Sequence, residues 1–174
     1  MRIKARRSWS VAGRVFGIQM AAVLGAIGLL VCALGIEAQW NANAEAEDRS
    51  LTVCRTLAGS PEVIAALASA NPTVPLQPRA MAAMQAAGVD FVTIMTPEGI
   101  RLTHPNTARI GEPFLGTITA AQRGETLTET FTGTLGPSVR AVVPILSREG
   151  ELVGIVSAGV TTERISAAVL PDCP

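Results

Sequence analysis

Side chains with rings are scarce in this chain. Its 174 residues include no tyrosine, four phenylalanines, two tryptophans and a single histidine, His104. A core must therefore be built mainly from alanine, valine, isoleucine and leucine. One histidine leaves no recognisable Ser-His-Asp triad or cluster of metal ligands. We therefore expect no enzymatic activity and no zinc, haem or nucleotide cofactor.

Acidic residues are absent from the first 36 positions, and residues 15–35 carry no charge of either sign. A stretch of about 20 apolar residues is long enough for a helix that crosses the hydrocarbon core of a bilayer. A cleaved signal peptide is the alternative, but its apolar core is usually about 7–15 residues long. We favour an uncleaved membrane anchor over residues 15–36.

The basic residues of the N-terminal region all precede this apolar run, at positions 2, 4, 6, 7 and 14. Such a flank predicts that the N-terminus is cytoplasmic and that the chain beyond Glu37 is periplasmic or extracellular. We divide the chain into a cytoplasmic basic tail (1–14), a transmembrane helix (15–36), an extracytoplasmic domain (37–170) and a short tail (171–174).

The region after the apolar run is acidic. It carries nine arginines and fourteen aspartates and glutamates, which gives a net charge of −5. Binding to nucleic acid needs a basic face that neutralises phosphates. We therefore expect no nucleic-acid partner.

Only three cysteines are present, and Cys32 lies in the apolar run. Cys54 and Cys173 would both lie outside the membrane, where a disulfide can form. The spacing of Leu51, Cys54 and Leu57 also fits the buried face of a helix. Both interpretations of Cys54 remain open, and we favour the buried helix position.

Helices are predicted for the first part of the outer domain. Residues 37–58 lack proline and glycine and predict a helix that continues from the apolar run. A second helix should begin with Ser60 as its N-cap and Pro61 at its first position. Residues 71–78, "NPTVPLQP", suggest a connection, and a short alanine-rich helix should then end at Gly88.

Strands are predicted for the second part. Patterns of β-branched and alternating residues indicate strands at 90–96, 100–105, 126–133, 138–147 and 152–161. A short helix is expected at 115–124, and a last helix should start near Thr162. The fold class is therefore α+β, with an antiparallel five-stranded meander flanked by helices.

Arg101 and Arg140 both fall within predicted strands. A strand arginine either reaches the surface or binds a buried anion, and His104 would add a hydrogen-bond donor near Arg101. Regular alternation would place Arg101 and His104 on opposite faces of their strand. The glycine-rich segment 132–138 could bring backbone N–H groups to an oxyanion.

Two longer segments that contain these residues resemble a known family of sensor domains. The segments "DFVTIMTPEGIRLTHPNTARIGEPFLG" and "RGETLTETFTGTLGPSVRAVVPILSREGELVGIVSAGVTTERIS" resemble the extracytoplasmic sensor domain of sensor histidine kinases for citrate and four-carbon dicarboxylates. That domain is PAS-like, of the single Cache type. The shared features include R-x-x-H-P, a glycine-rich loop, S-x-R and "GIVS-G" in the same order.

The resemblance implies a site for a small carboxylate such as succinate, fumarate, malate or citrate. Arg101 and Arg140 would bind carboxylates, His104 would donate a hydrogen bond, and hydroxyl groups would contact ligand oxygens. The implied ligand-binding residues are Thr93, Arg101, His104, Gly133, Thr134, Leu135, Gly136, Arg140 and Ser157. Arg101 and His104 can both reach one ligand only if their strand twists, bulges or ends near Thr103.

The chain departs from the family at several points. Val142 stands where citrate sensors have a lysine, which favours a ligand with two carboxylates over one with three. Pro137 removes one N–H from the glycine-rich loop. No second apolar span, kinase core or phosphate-accepting histidine is recognisable after the domain. We expect a homodimeric sensory part of a two-component histidine kinase; the alternative is an anchored binding module without signalling output.

Overall fold

The protein is described by a computed structural model that covers residues 11–133 and 136–169. Thr134, Leu135, Cys173 and the tail 171–174 lie outside the described residues. The helices are α1 (Val11–Ala58), α2 (Pro61–Leu67), α3 (Thr73–Ala87), α4 (Thr119–Gln122) and α5 (Thr162–Val169), with a 3-10 turn at Thr107–Arg109. The strands are β1 (Phe91–Met95), β2 (Leu127–Gly133), β3 (Gly136–Leu146) and β4 (Leu152–Thr161).

The N-terminal unit ends at Trp40 and contains the apolar part of α1. An 18-residue window in this helix has a mean hydropathy of 2.3, and none of the window is buried. Leu29, for example, is 75% exposed. Length and composition therefore make it a candidate transmembrane helix. The predicted continuation of the helix beyond residue 37 is confirmed, since α1 runs to Ala58.

The second unit begins at residue 41 with the last part of α1. Cys54 is fully buried there, and its thiol lies 3.6 Å from the carbonyl oxygen of Ala141. Burial raises the pKa of this thiol to about 12, although a backbone hydrogen bond acts in the opposite direction. The preferred interpretation of Cys54 as a buried helix position is confirmed.

Local signals at α2 and α3 are largely confirmed. Helix α2 begins at Pro61 after Ser60, but the Ser60 hydroxyl bonds Glu62 instead of capping the helix. Gly88 ends α3 with φ of 63°. The connection expected at 71–78 is wrong, because α3 already begins at Thr73. Pro75 lies in the first turn of the helix, where backbone N–H groups have no intrahelical acceptor.

Within the described residues, the sheet has four antiparallel strands in the order β1-β4-β3-β2, not the five predicted. The hairpin of β3 and β4 is confirmed. Residues 100–105 form only isolated bridges, in which Arg101 pairs with Met95 and Ile100 with Pro113. The ladder stops because the Ile94 N–H donates to the Thr103 hydroxyl, while the Ile94 carbonyl accepts from both Leu102 and Thr103.

The helices cover one face of the sheet and leave the other for a smaller layer. Val92, Ile94, Ala141 and Val156 belong to the large aliphatic core beneath α1, α2 and α3. The opposite face carries a small apolar cluster, which includes Met95, Ala121, Val142 and Ile155. The helix predicted at 115–124 is reduced to α4, because Leu115 and its neighbours form an irregular segment over this face.

Candidate functional site: a buried cationic cavity on the sheet

The face opposite the main core carries polar side chains at its centre. In the strand register, Thr93 lies opposite Ser157, and Phe91 lies opposite Gly159. Gly159 in turn lies opposite Arg140 on β3. Residues opposite each other in a ladder project to the same side, so these side chains share one face. The Phe91 ring lies directly over Gly159, where any β-carbon would come within 2.6 Å of it.

A small cavity lies above this row. The space open to the centres of water molecules is about 20 Å³, enough for one or two waters but smaller than a dicarboxylate. The residues that line it are Phe91, Thr93, Arg101, His104, Phe114, Leu115, Gly133, Gly136, Ser138 and Arg140.

Six of the nine residues predicted for the site meet at this cavity. They are Thr93, Arg101, His104, Gly133, Gly136 and Arg140. Ser157 is fully buried on the same face but is not among the lining residues, and its hydroxyl finds no partner in the described part of the chain. Thr134 and Leu135 fall outside the described residues, so their predicted contacts stay predictions.

Arg101 is buried and incompletely paired. Its side chain is 3% exposed, and its Nη1 lies 3.5 Å from the Glu112 carboxylate, a long contact for an ion pair. Its Nε has no hydrogen-bond acceptor among the described residues. Burial lowers the pKa of Arg101, and Glu112 partly offsets this effect. An enclosed guanidinium with a spare donor is suited to an anion.

His104 lies beside Arg101 and is held through its backbone. The Gln77 side chain on α3 donates to the His104 carbonyl at 2.8 Å and accepts from the His104 N–H at 3.0 Å. His104 Nδ1 lies 3.0 Å from the Asn106 N–H and 3.1 Å from the Asn106 carbonyl oxygen, so it accepts from the first in one tautomer and donates to the second in the other. Burial, together with the charges of Arg101 and Arg109, lowers the pKa of His104. The neutral imidazole, which carries one ring N–H, therefore prevails at neutral pH.

Arg140 is also buried, and each of its three nitrogens donates one hydrogen bond to the protein. Its side chain is 2% exposed, and its Nε and Nη2 donate to the same Glu129 oxygen at 3.1 and 2.6 Å. Its Nη1 donates to the Leu115 carbonyl at 3.0 Å. The guanidinium also lies 4.0 Å from the centre of the Phe131 ring and 5.0 Å from that of Phe114.

Regular strand alternation would place Arg101 and His104 on opposite faces, whereas the family resemblance places both at one ligand. The structure resolves this conflict, because the strand pairing ends at Arg101. Arg101 is the last bridged residue, and the chain bends at Leu102. The interval from Arg101 to His104 therefore does not follow a two-residue repeat. Both side chains reach the same cavity.

Other residues of the site were missed. Phe91, Phe114 and Leu115 line the cavity, and Glu129 and Gln77 hold its arginine and histidine. Ser138, which the sequence analysis placed in the candidate segment 132–138, lines the cavity as well. The pairing of Glu129 with Arg140 follows from the β2–β3 register, which places them directly opposite. A hairpin register derived from the glycine-rich sequence between the two strands would have identified it.

The environment of Val142, which stands where citrate sensors have a lysine, is apolar. This valine lies two residues after Arg140 on the same face, fully buried in the apolar cluster with Met95 and Ile155. No cation can be supplied from this position.

The family of the chain follows from comparison with known proteins. Residues 37–171 match the family described as single cache domain 3. The chain belongs to this family, which bears out the resemblance read from its motifs.

Two curated relatives are sensor proteins. The chain is 31% identical over 167 residues to the sensor protein CitS of Halalkalibacterium halodurans, across 90% of this chain and 31% of that relative. It is 29% identical over 123 residues to the sensor histidine kinase DcuS of Escherichia coli K12, across 70% of this chain and 23% of the relative. The chain thus spans about a third or less of the length of these relatives.

Solved structures agree with this assignment. The E. coli DcuS sensor domain superposes with a TM-score of 0.69 at 28% identity, covering 74% of this chain and 97% of that one. The sensor domain of the Vibrio cholerae histidine kinase DctB gives a TM-score of 0.70 at 11% identity, covering 88% of this chain and 62% of that one. At this identity the likeness shows a shared fold and nothing more. Together with the family match, these likenesses support a sensory role for the domain.

Proposed function

We propose that this chain is the membrane-anchored sensory part of a two-component system and that its outer domain binds a small carboxylate. The observation that carries the proposal is the meeting of Arg101, His104 and Arg140 at one buried cavity. Arg101 has a spare N–H, and charged hydrogen bonds contribute about 1.5–3 kcal/mol each. Four or five such bonds, less ordering and desolvation costs, give micromolar affinity.

Four-carbon dicarboxylates are the first ligands to test. One solved relative at 29% identity and a TM-score of 0.51 is described as the sensory domain of the membraneous two-component fumarate sensor DcuS of E. coli. Two arginines without a third cation at Val142 match two carboxylates better than three. We propose succinate, fumarate or malate in preference to citrate, with Thr93 and Ser157 as hydroxyl partners.

The proposed arrangement in the cell follows from the charge pattern. Residues 15–36 would cross the membrane once, with the basic tail in the cytoplasm and residues 37–170 outside. The chain would act as a homodimer. Closure of the sheet around the ligand would move β4 and the attached helix α5, which follows it without a break.

Calorimetry of the full chain in detergent tests this function. Succinate, fumarate, malate and citrate would be titrated into the wild-type protein and into Arg140→Ala. We expect micromolar binding of at least one dicarboxylate by the wild type and no detectable binding by the variant. Arg148→Ala, an exposed arginine in the β3–β4 turn, is the matched control. Equal affinity in wild type and Arg140→Ala would refute the proposed site.

A further inference from the structure

The two arginines of the cavity differ in how they are paired. Arg101 has one long contact with Glu112 and an Nε without an acceptor in the described chain. Arg140 instead gives Nε and Nη2 to a single oxygen of Glu129, and Nη1 to a backbone carbonyl. The first arginine is open to an external anion, whereas the second already has a carboxylate of its own.

Glu129 is placed to act as a permanent partner of Arg140. It lies directly opposite Arg140 in the β2–β3 register, and β2 is an edge strand of the sheet. Its side chain is 21% exposed, whereas that of Arg140 is 2% exposed. Glu129 is not among the residues that line the cavity, so it acts on the ligand mainly through its charge.

The charges near the cavity set how much negative charge it can balance. Glu112 is shared by Arg101 and Arg109, at 3.5 and 3.0 Å, and Glu129 neutralises Arg140. Three arginines and two glutamates leave one positive charge among these described residues, with His104 neutral. A dianion therefore exceeds the available charge by one unit. In a buried site of low dielectric, such an imbalance weakens binding.

We propose that Glu129 is a specificity-determining residue, which limits the negative charge of the ligand by serving as the internal counter-ion of Arg140. The inference rests on the proposed function as a carboxylate-binding domain. Its consequence is that the second charge of a dicarboxylate adds little affinity. A ligand with one ionised carboxylate and a neutral polar group at its other end should bind nearly as well.

A pair of ligands with matched shape tests this inference. Succinate carries two carboxylates, and its monoamide, succinamate, replaces one of them with a neutral group of almost the same size. Calorimetry at pH 7.5 on the full chain in detergent would give the preference for succinate over succinamate as a ratio of their Kd values. The proteins are the wild type, Glu129→Gln and Glu129→Thr. Threonine suits a strand in which Thr128 and Thr130 are the neighbours.

For the wild type, we expect the Kd values of succinate and succinamate to agree within about threefold. In both Glu129 variants, we expect the preference for succinate to increase about tenfold. Glu125→Gln is the control, because Glu125 is 59% exposed and pairs only with Arg123 among the described residues. It should leave the ratio unchanged. Far-UV circular dichroism would verify that each variant is folded.

The outcomes separate this inference from the proposed function. Succinate binding by the wild type with an unchanged ratio in folded Glu129→Gln or Glu129→Thr would overturn the role of Glu129 and leave the proposed function standing. Binding only after Glu129 is neutralised would support its role but contradict carboxylate binding by the natural chain. If no protein bound either ligand, both conclusions would be wrong.

Discussion

The side-chain amide of Gln77 pairs with both backbone polar groups of His104, at 2.8 Å for the carbonyl and 3.0 Å for the N–H. This pair ties the cavity to α3, which lies in the layer of helices that packs on the other face of the sheet. His104 itself is 3% exposed, so its backbone groups have little access to water. The position of the imidazole therefore depends on a glutamine that does not line the cavity.

Replacing Gln77 by alanine should weaken both the domain and its proposed ligand site. Two buried backbone groups would lose their partners, at a cost of about 1–3 kcal/mol in the free energy of unfolding. We expect a roughly tenfold loss of dicarboxylate affinity as His104 shifts. Urea unfolding and calorimetry would measure the two effects. Gln85→Ala, an exposed change on the same helix, should alter neither; similar effects of both substitutions would contradict the role of Gln77.

Sequence patterns identified the parts of the fold that depend on neighbouring residues. The proline at the start of α2, the glycine that ends α3 and the β3–β4 hairpin are all local signals. The strand expected at 100–105 was wrong for a tertiary reason. The Thr103 side chain takes the N–H of Ile94, which a regular strand would have left for a backbone carbonyl.

The same distinction applies to the site. Arg101, His104 and Arg140 were identified because they form motifs with fixed spacing. Gln77 precedes His104 by 27 positions, and no local pattern links them. A side chain that acts on another residue from a distant element becomes visible only when the packing is known.

Ligand affinity should rise as the pH falls from 8 to 6. The pKa of His104 lies below its usual value in the free protein, chiefly because burial disfavours the imidazolium. A ligand carboxylate beside the ring favours that charged form and raises the pKa, so the complex binds more protons than the free protein. Linkage then makes binding tighter at lower pH, by about threefold over this range.

Calorimetry with fumarate at pH 8, 7 and 6 measures this dependence. Fumarate suits the test because its carboxyl groups remain ionised over the range. His104→Asn preserves a hydrogen-bond donor without a titrating ring, and its affinity should vary less with pH. A fall in wild-type affinity between pH 8 and 6 would contradict the assigned role of His104.

Gly116 should be intolerant of even a methyl group. An added β-carbon would lie 1.9 Å from Nη2 of Arg140 and 2.6 Å from its Cζ, and φ at this glycine is 149°. Arg140 is buried and cannot move aside without losing its bonds to Glu129 and Leu115. We expect Gly116→Ala to reduce dicarboxylate affinity more than tenfold.

Gly111→Ala is a suitable control for that substitution. Gly111 also has a positive φ, 87°, but nothing lies within 4 Å of the position of its β-carbon. It should cost about 1 kcal/mol of stability through backbone strain and leave affinity unchanged. Thermal unfolding and calorimetry would distinguish strain from the clash with Arg140; wild-type affinity in Gly116→Ala would disprove the clash.

Asp90 connects the start of β1 to the helix that follows β4. Its Oδ2 accepts from the N–H and the hydroxyl of Thr161, at 2.7 and 2.9 Å, and its Oδ1 accepts from Arg164 at 2.7 Å. Burial alone would raise the pKa of Asp90, but these donors together hold it below its usual value. The ionised Asp90 carboxylate therefore stabilises the folded domain above its unfolded pKa, which is near 3.9. This stabilisation is lost as the pH falls through the lower pKa of the folded state.

Asp90→Asn should accordingly destabilise the domain at pH 7 by about 1–3 kcal/mol and by much less near pH 2.5. Urea unfolding of wild type and variant at the two pH values gives the difference directly. Glu149→Gln, in the exposed β3–β4 turn, should show no such dependence. Equal destabilisation by Asp90→Asn at both pH values would mean that its carboxylate charge does not hold α5. Because α5 is the element proposed to carry the signal, a weakened Asp90 contact should also loosen the coupling between the proposed ligand cavity and that helix.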